Sequence, residues 1–384
     1  MLTIHHILIE QATTRPNALA LQDGALSLSY KDLLAVVSQT AGVMASGGLK
    51  KGERFAIWAP NCAEWVITAL AGQMIGGVLV TLNTRYKGSE AADILRRSDC
   101  RILYTIRGFL GQDFDAALEG FDLPALREII ILKDGDSAAP FADYMAREGE
   151  AVTTPAVNED DIADIIFTSG TTGAPKGAMS SHGQNIRAFQ AFTDGITMRA
   201  DDRYLVVNPF FHSFGYKAGW LSCLIKGAAI FPLALFDPVD VLRRIERDKI
   251  TVMPGAPTIF QTLLSSPELN AHDISSLRVA TTGATTIPVD LIRRMREDLG
   301  IDNVFSAYGL TESTGVVSLC SKGDDFETIA KTCGRPLKGT SLRFVDDNGK
   351  DVAPGEAGEI WVKGFNVMQG YLDDAAATAE AITP

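Results

Sequence analysis

The sequence predicts an α/β protein: two layered βαβ-type subdomains with largely parallel sheets, followed by a small β-rich, barrel-like unit. Three observations carry this. Strand and helix patterns alternate over most of the 384 residues, as βαβ crossovers require. A 46% hydrophobic and 21% charged composition supplies a sizeable core. From about residue 331 the pattern changes to short strands punctuated by Asn348-Gly349 and Pro354-Gly355 turns.

Residues 55–59 read as a strand, Ala63–Met74 as a helix, Val78–Thr81 as a strand, 89–97 as a helix and 101–105 as a strand. The uncharged stretch 65–84 is long enough to raise a membrane helix. Gln73 and the Gly76-Gly77 break favour a buried helix followed by a buried strand. Residues 134–161 are rich in Ala, Pro, Gly and acids, which places a boundary there and gives subdomains 1–160, 161–330 and 331–384. The second series opens with an apolar strand, 162–167, running into a Gly/Thr-rich loop. Asp237-Pro238 is an N-cap and first-turn pair for a helix to about Arg247. Strands follow at 250–253, 278–281 and 304–307, with a helix at 288–299, and later strands at 341–345 and 359–363. Three loops, 168–177, 282–286 and 308–313, each follow a strand. In a parallel sheet such loops share the carboxyl edge, where ligands bind.

The formal charge of −12 argues against a nucleic-acid or anionic-membrane surface, which needs clustered Lys and Arg. Five scattered cysteines without a C-x-x-C fit reduced thiols. The start lacks the basic and apolar regions of a secretory signal, so a cytoplasmic location is expected. His5, His6, His182 and His272 show no metal-ligand spacing.

The strongest local signal is Thr168-Ser-Gly-Thr-Thr-Gly-Ala-Pro-Lys-Gly177. Its glycines allow backbone amides to approach an anion. The hydroxyls of Thr168, Ser169, Thr171 and Thr172 add donors, and Lys176 adds a compact positive charge. Together these suit a polyphosphate. The loop is not a Walker A motif: Pro175 stands before Lys176 and Gly177 after it, so the magnesium-holding hydroxyl is missing.

This loop resembles the signature loop of the adenylate-forming superfamily, which includes acyl-CoA synthetases, amino-acid adenylation domains and beetle luciferases. Further segments resemble that family's motifs in order: Leu28-Ser-Tyr-Lys-Asp-Leu33, Gly77-Val-Leu-Val-Thr-Leu-Asn83, Pro209-Phe-Phe-His-Ser-Phe214, Tyr308-Gly-Leu-Thr-Glu-Ser313, Gly358-Glu-Ile-Trp361 and Gly370-Tyr371. The resemblance implies attack of a substrate carboxylate on the α-phosphorus of ATP, giving acyl-adenylate and pyrophosphate. A carboxylate needs no general base, so the site's work is alignment and charge neutralisation.

The resemblance also implies roles for individual residues. Thr168, Ser169, Gly170, Thr171, Thr172, Gly173 and Lys176 would hold the β- and γ-phosphates. Thr311 would hydrogen-bond the α-phosphate and Glu312 would hold Mg²⁺. Gly283, Ala284 and Thr285 would line the adenine, with Tyr308 and Gly309 beside it. His212 would guard the acyl and pantetheine channels. Lys176, Thr311, Glu312 and His212 are therefore the expected catalytic residues.

Phe210, Phe211, Phe214, Tyr216 and Trp220 could line a large apolar acyl pocket, and 209–220 contains no acid to hold a substrate ammonium. This argues against an α-amino acid. The run 208–219 looks like that of bacterial CoA ligases acting on bulky polycyclic, steroid-like acids; fatty and aryl acids stay open. Acceptors would be coenzyme A or, alternatively, a carrier protein. A luciferase-like oxygenase and a non-catalytic acyl-nucleotide-binding protein are further readings. Family members continue past the counterpart of Tyr371 into a Thr-Gly-Asp segment and a small C-terminal domain. The chain is thus expected to be the family's large N-terminal domain, with thioester formation impaired.

Overall fold

The computed structural model describes residues 2–149, 156–168, 175–283 and 285–383. The uncharged stretch forms helix Ala63–Met74, every residue of which is buried, and the buried strand Val78–Thr81. Among the described residues no helix is long and apolar enough to cross a membrane.

A seven-stranded sheet runs in the order Gly370–Tyr371, Lys176–Ser181, Ile162–Thr168, Val78–Thr81, Arg54–Trp58, Cys100–Arg107, Glu128–Asp134. Its last five strands are mutually parallel and its first two are added antiparallel. A nine-stranded sheet runs in the order Arg335–Pro336, Ser318–Leu319, Asn303–Tyr308, Val279–Gly283, Val252–Pro254, Arg203–Val206, Ala229–Pro232, Leu19–Asp23, Leu26–Ser29. The six strands from Asn303–Tyr308 to Leu19–Asp23 are parallel. Helices Pro238–Asp248, Pro257–Leu264 and Val289–Glu297 pack the cluster of Val241, Leu242, Phe260, Ile292 and Met295 onto this second sheet. Asp237 caps the first of them by accepting from Asp240 N at 2.8 Å, as the sequence predicts.

Two expectations are corrected. The sheets do not divide the chain at residue 160: strands Ile162–Thr168 and Lys176–Ser181 belong with the first sheet, and Leu19–Asp23 and Leu26–Ser29 with the second. Partner strands lie far apart in the chain, and composition carries no trace of that pairing. The β-rich unit is not barrel-like. Thr340–Val345 and Glu359–Gly364 form a two-stranded antiparallel ribbon. Strand Lys176–Ser181 pairs antiparallel with Ile162–Thr168, Thr168 opposite Lys176; the Gly/Thr-rich residues 169–174 between them lie outside the described residues.

The two sheets share one continuous hydrophobic core. Asp23, from the second sheet, accepts from Ala63 N at 2.9 Å and so caps a helix of the first. Asn61 bonds the segment after strand Arg203–Val206: its amide donates to Val206 O at 3.0 Å and Asn208 O at 2.9 Å, and its oxygen accepts from Phe210 N at 2.7 Å. Three backbone groups are thereby satisfied by one buried side chain.

At the start of the chain, buried His5 packs edge-on to buried His182, ring centroids 6.5 Å apart, with His6 at 4.4 Å. Burial, reinforced by His6, pushes His5 down to about 4. Burial and His5 push His182 down to about 3, against the opposing charge of Asp161. Asp161 is itself paired with Lys51 at 2.7 Å. Both imidazoles are neutral in the fold, so below their ordinary value of 6.5 the unfolded chain binds more protons. Stability is then full above that value and falls as pH drops toward the folded values. The urea midpoint should decrease between about pH 7.5 and about pH 5, and His182→Gln should flatten that decrease; an unchanged slope in the variant would count against it.

Candidate active site

The carboxyl ends of the parallel strands Val279–Gly283 and Asn303–Tyr308 lie side by side, with Gly283 opposite Ala307. Beyond Tyr308 the chain makes a tight turn containing the single 3₁₀ turn Thr311–Ser313. It doubles back on itself so closely that a Cβ on Gly309 would lie 2.3 Å from Gly315 O, and one on Gly315 3.0 Å from the Ser213 Cβ. Glycine is required at both places. The same contact sets the 309–315 turn against the aromatic segment that carries His212.

Glu312 projects from this turn toward the hairpin stem of the other sheet. Its Oε1 lies 3.4 Å from the Thr168 hydroxyl and accepts from the Tyr371 hydroxyl at 2.8 Å. Lys176 Nζ stands 5.2 Å from the centroid of the Tyr371 ring. Thr168, Lys176, Glu312 and Tyr371 therefore meet although they come from three distant segments. Burial first, then the Glu312 carboxylate, pushes the Tyr371 phenol far above its ordinary value, so it stays protonated and donates. No ion pair to Glu312 occurs among the described residues; its partners there are neutral hydroxyls.

Tyr371 is brought in by strand pairing. Gly370–Tyr371 adds to Lys176–Ser181, while Gln369 N donates to Met179 O at 2.9 Å and Leu372 N to Gly177 O at 2.8 Å. Met368 N also donates to Glu312 O at 2.8 Å, and Asn366 Nδ2 to Val316 O at 2.9 Å. Residues 366–372 thus clamp both the hairpin and the Glu312 turn. The sequence offers Gly370-Tyr371 as a motif but gives the phenol no role, because its partner Glu312 is 59 positions away.

The remaining expected site residues fall into three groups. Ser169, Gly170, Thr171, Thr172, Gly173 and Ala284 lie outside the described residues. Gly283 closes its strand, and Thr285 and Gly309 are exposed beside it; Tyr308 and Thr311 are half-buried. In the acyl segment, Phe210, Tyr216 and Trp220 are fully buried. They pack on Trp65, with ring centroids 5.4, 6.1 and 6.0 Å from it. Phe211 and Phe214 are half-buried and His212 is exposed, its Nδ1 accepting from Phe214 N at 3.2 Å. Thr81 fixes this stretch by donating to Phe211 O at 2.8 Å. A separate cleft of about 700 Å³, between helix His182–Gly195, Leu319 and Leu337, is lined by none of the expected site residues.

The residues of the site fit a magnesium ion that takes one protein carboxylate and fills its other positions with phosphate oxygens and water. Among the described residues no group of three or more His, Cys, Asp or Glu could hold a metal. Glu312 alone supplies a carboxylate, and magnesium in phosphate chemistry commonly uses one or two carboxylates plus phosphate oxygens and water.

Comparison with known proteins identifies the family. Residues 8–372 match the family described as AMP-binding enzyme. A 3-[(3aS,4S,7aS)-7a-methyl-1,5-dioxo-octahydro-1H-inden-4-yl]propanoyl:CoA ligase of Rhodococcus jostii (strain RHA1) is 41% identical, over 97% of this chain and 75% of its own length. The ligase of the same description from Mycobacterium tuberculosis (strain ATCC 25618 / H37Rv) is 44% identical, over 91% of this chain and 68% of its own. Among solved structures, the anthranilate CoA ligase AuaEII in complex with anthranoyl-AMP superposes with a TM-score of 0.90 at 25% identity, covering 98% of this chain and 72% of that one. The N-terminal domain of FACL13 from Mycobacterium tuberculosis gives a TM-score of 0.88 at 26% identity, covering 100% and 94%. With the family matched over nearly its whole length and two relatives above 40% identity, this chain belongs to the AMP-binding enzyme family, among the acyl-CoA ligases.

Proposed function

We propose that this chain activates a carboxylic acid with ATP, as the first half-reaction of an acid–CoA ligase, and that the acid is a bulky polycyclic propanoate. The observation that carries the reading is the meeting of Glu312, Thr168, Lys176 and Tyr371 at the stem of the Gly/Thr-rich turn. The substrate class rests on the bicyclic dione propanoyl group in the names of two relatives. An acyl segment, 209–220, that contains no acid and whose Lys217 is already ion-paired in the interior supports it.

The chemistry is nucleophilic substitution at phosphorus. A carboxylate oxygen bonds to the α-phosphorus as the bond to the bridging oxygen breaks, and the electron pair leaves with pyrophosphate. In the second half-reaction the thiol of coenzyme A loses its proton, its sulfur bonds to the acyl carbon as the acyl carbon–oxygen bond breaks, and the electron pair leaves with AMP. The protein's task in the first step is to hold two anions together and neutralise the charge moving onto pyrophosphate. Lys176 and the hydroxyls of the turn would take the β- and γ-phosphates, and Thr311 the α-phosphate. Magnesium, held by Glu312 among protein groups, would supply further charge neutralisation to the phosphates. Thr168 and Tyr371 orient the Glu312 carboxylate without neutralising it. Phe211, His212 and Phe214 are the accessible members of the acyl segment, and they would face the acid. The cysteines, none in a disulfide among the described residues, are consistent with a reducing, cytoplasmic setting.

The substrate reading is checked with a panel of acids: the bicyclic dione propanoate, a medium-chain fatty acid and an aryl acid. Pyrophosphate release and hydroxamate trapping should both be fastest with the bicyclic acid. A fatty or aryl acid in first place overturns the substrate class, and no release above the acid-free control overturns the activity. For the residues, Lys176→Ala and Glu312→Ala should each lower kcat by roughly 10²–10³. Tyr371→Phe, which loses a single hydrogen bond to a charged group, should cost roughly tenfold. Circular dichroism melting should leave all three variants close to the parent, and undiminished turnover in the first two would contradict the assignment.

A further inference from the structure

Lys217 and Asp164 form an ion pair in the interior, Nζ to Oδ1 2.9 Å, with neither side chain exposed (0% each). Lys217 Nζ also donates to Ser180 Oγ at 3.0 Å, and the Asn185 amide donates to Asp164 Oδ2. Beside the pair, the Gln73 amide donates to the Tyr216 hydroxyl at 2.8 Å and to Ala163 O at 3.2 Å.

The chain positions of these groups matter more than the bonds themselves. Asp164 stands on strand Ile162–Thr168, which leads into the Gly/Thr-rich turn, and Ser180 on Lys176–Ser181, which leaves it. Lys217 stands on the π-helical turn Tyr216–Leu221, directly after Phe211, His212 and Phe214. That turn is irregular, with Gly219 at φ −91° and ψ −105°, and π-turns of this kind recur at functional sites. A single ammonium therefore joins the acyl segment to both strands of the phosphate hairpin.

Stability alone is a poor reason to keep such a pair. Desolvating two charges costs several kcal/mol per ion, and apolar residues of equal volume often do as well or better. What a buried pair gives that an apolar contact does not is one permitted geometry. A shift of the π-turn relative to the hairpin would part the charges in a medium of low dielectric, a directional penalty that apolar packing alone does not impose.

We propose that Lys217, through Asp164 and Ser180, is a positioning residue that couples the acyl segment to the phosphate hairpin, so that acid and nucleotide bind interdependently. The proposal rests on the activity proposed above and adds a coupling between its two substrates. Such coupling is reciprocal: the factor by which acid tightens nucleotide equals the factor by which nucleotide tightens acid.

The test measures that factor by calorimetry. α,β-Methylene-ATP, which cannot release pyrophosphate by α-phosphorus attack, is titrated into the full chain with and without the bicyclic dione propanoate. The parent should show a factor on the order of five or more. Lys217→Met combined with Asp164→Leu removes both charges at similar volume and should bring the factor to about one, with Kd for the nucleotide alone changed far less. Ser180→Ala removes one leg of the bridge without stranding a charge, and should lower the factor at least about twofold. An unchanged factor in the folded double variant overturns the proposal, as does a parent factor of one. Should the double variant not fold, Ser180→Ala decides alone: a lowered factor supports the coupling and an unchanged one overturns it. A parent that forms no hydroxamate from this acid sinks the substrate reading instead, whereas turnover with unaltered coupling in the variants sinks only the role of Lys217.

Discussion

The aromatic seam between the two sheets is the constraint on which the rest of the molecule depends. Trp65 rises from helix Ala63–Met74 into a block with Phe210, Tyr216 and Trp220, and Tyr216 stacks on Trp220 at 4.7 Å between centroids. Large rings bury much area while losing little rotamer freedom, which suits a joint that must not slip. Asn61 and Asp23 add directed bonds across the same joint. Because the 309–315 turn belongs to one sheet and the Thr168–Lys176 pairing to the other, the position of Glu312 opposite Thr168 is an outcome of this packing.

The molecule treats its charges differently on the two sides of that seam. In the interior the carboxylate of Asp164 is fully compensated by Lys217. At the carboxyl edge the Glu312 carboxylate is held by hydroxyl dipoles alone among the described residues. Hydroxyl donors fix a carboxylate's direction while leaving its charge available to a cation. The first arrangement suits a fixed scaffold, and the second suits a group that must engage a ligand.

Much of this was legible in the sequence, unevenly and for physical reasons. Helix Ala63–Met74, strand Val78–Thr81 and the Asp237 cap follow from local pattern and emerge as expected. Approach of the 168 and 308 regions followed in part from the rule that loops after parallel strands share an edge; Tyr371 arrives by strand pairing, which that rule does not cover. Sheet membership was not legible. The hairpin joins the first sheet by pairing Leu79 with Asp164, and Leu21 pairs with Ile230 in the second, contacts that leave no local signature. The acyl segment shows a further limit. Its aromatics look alike in sequence, yet Phe210, Tyr216 and Trp220 are sealed in the core while Phe211 and Phe214 are partly open. Tyr371 falls within a sequence motif, but its hydroxyl has meaning only beside Glu312.

The late strand Gly370–Tyr371 has a consequence for biogenesis. During synthesis the ribosome releases strands Ile162–Thr168 and Lys176–Ser181, the 309–315 turn and both large sheets' parallel strands before residues 366–372 appear. Until they do, the outer edge of Lys176–Ser181 carries unpaired backbone groups, an invitation to non-native strand addition. Likewise, Leu19–Asp23 must wait for Ala229–Pro232 to emerge before it has its parallel neighbour. The site thus matures last, by long-range closure, and a nascent chain stalled before residue 366 would expose a sheet edge for chaperones to shield.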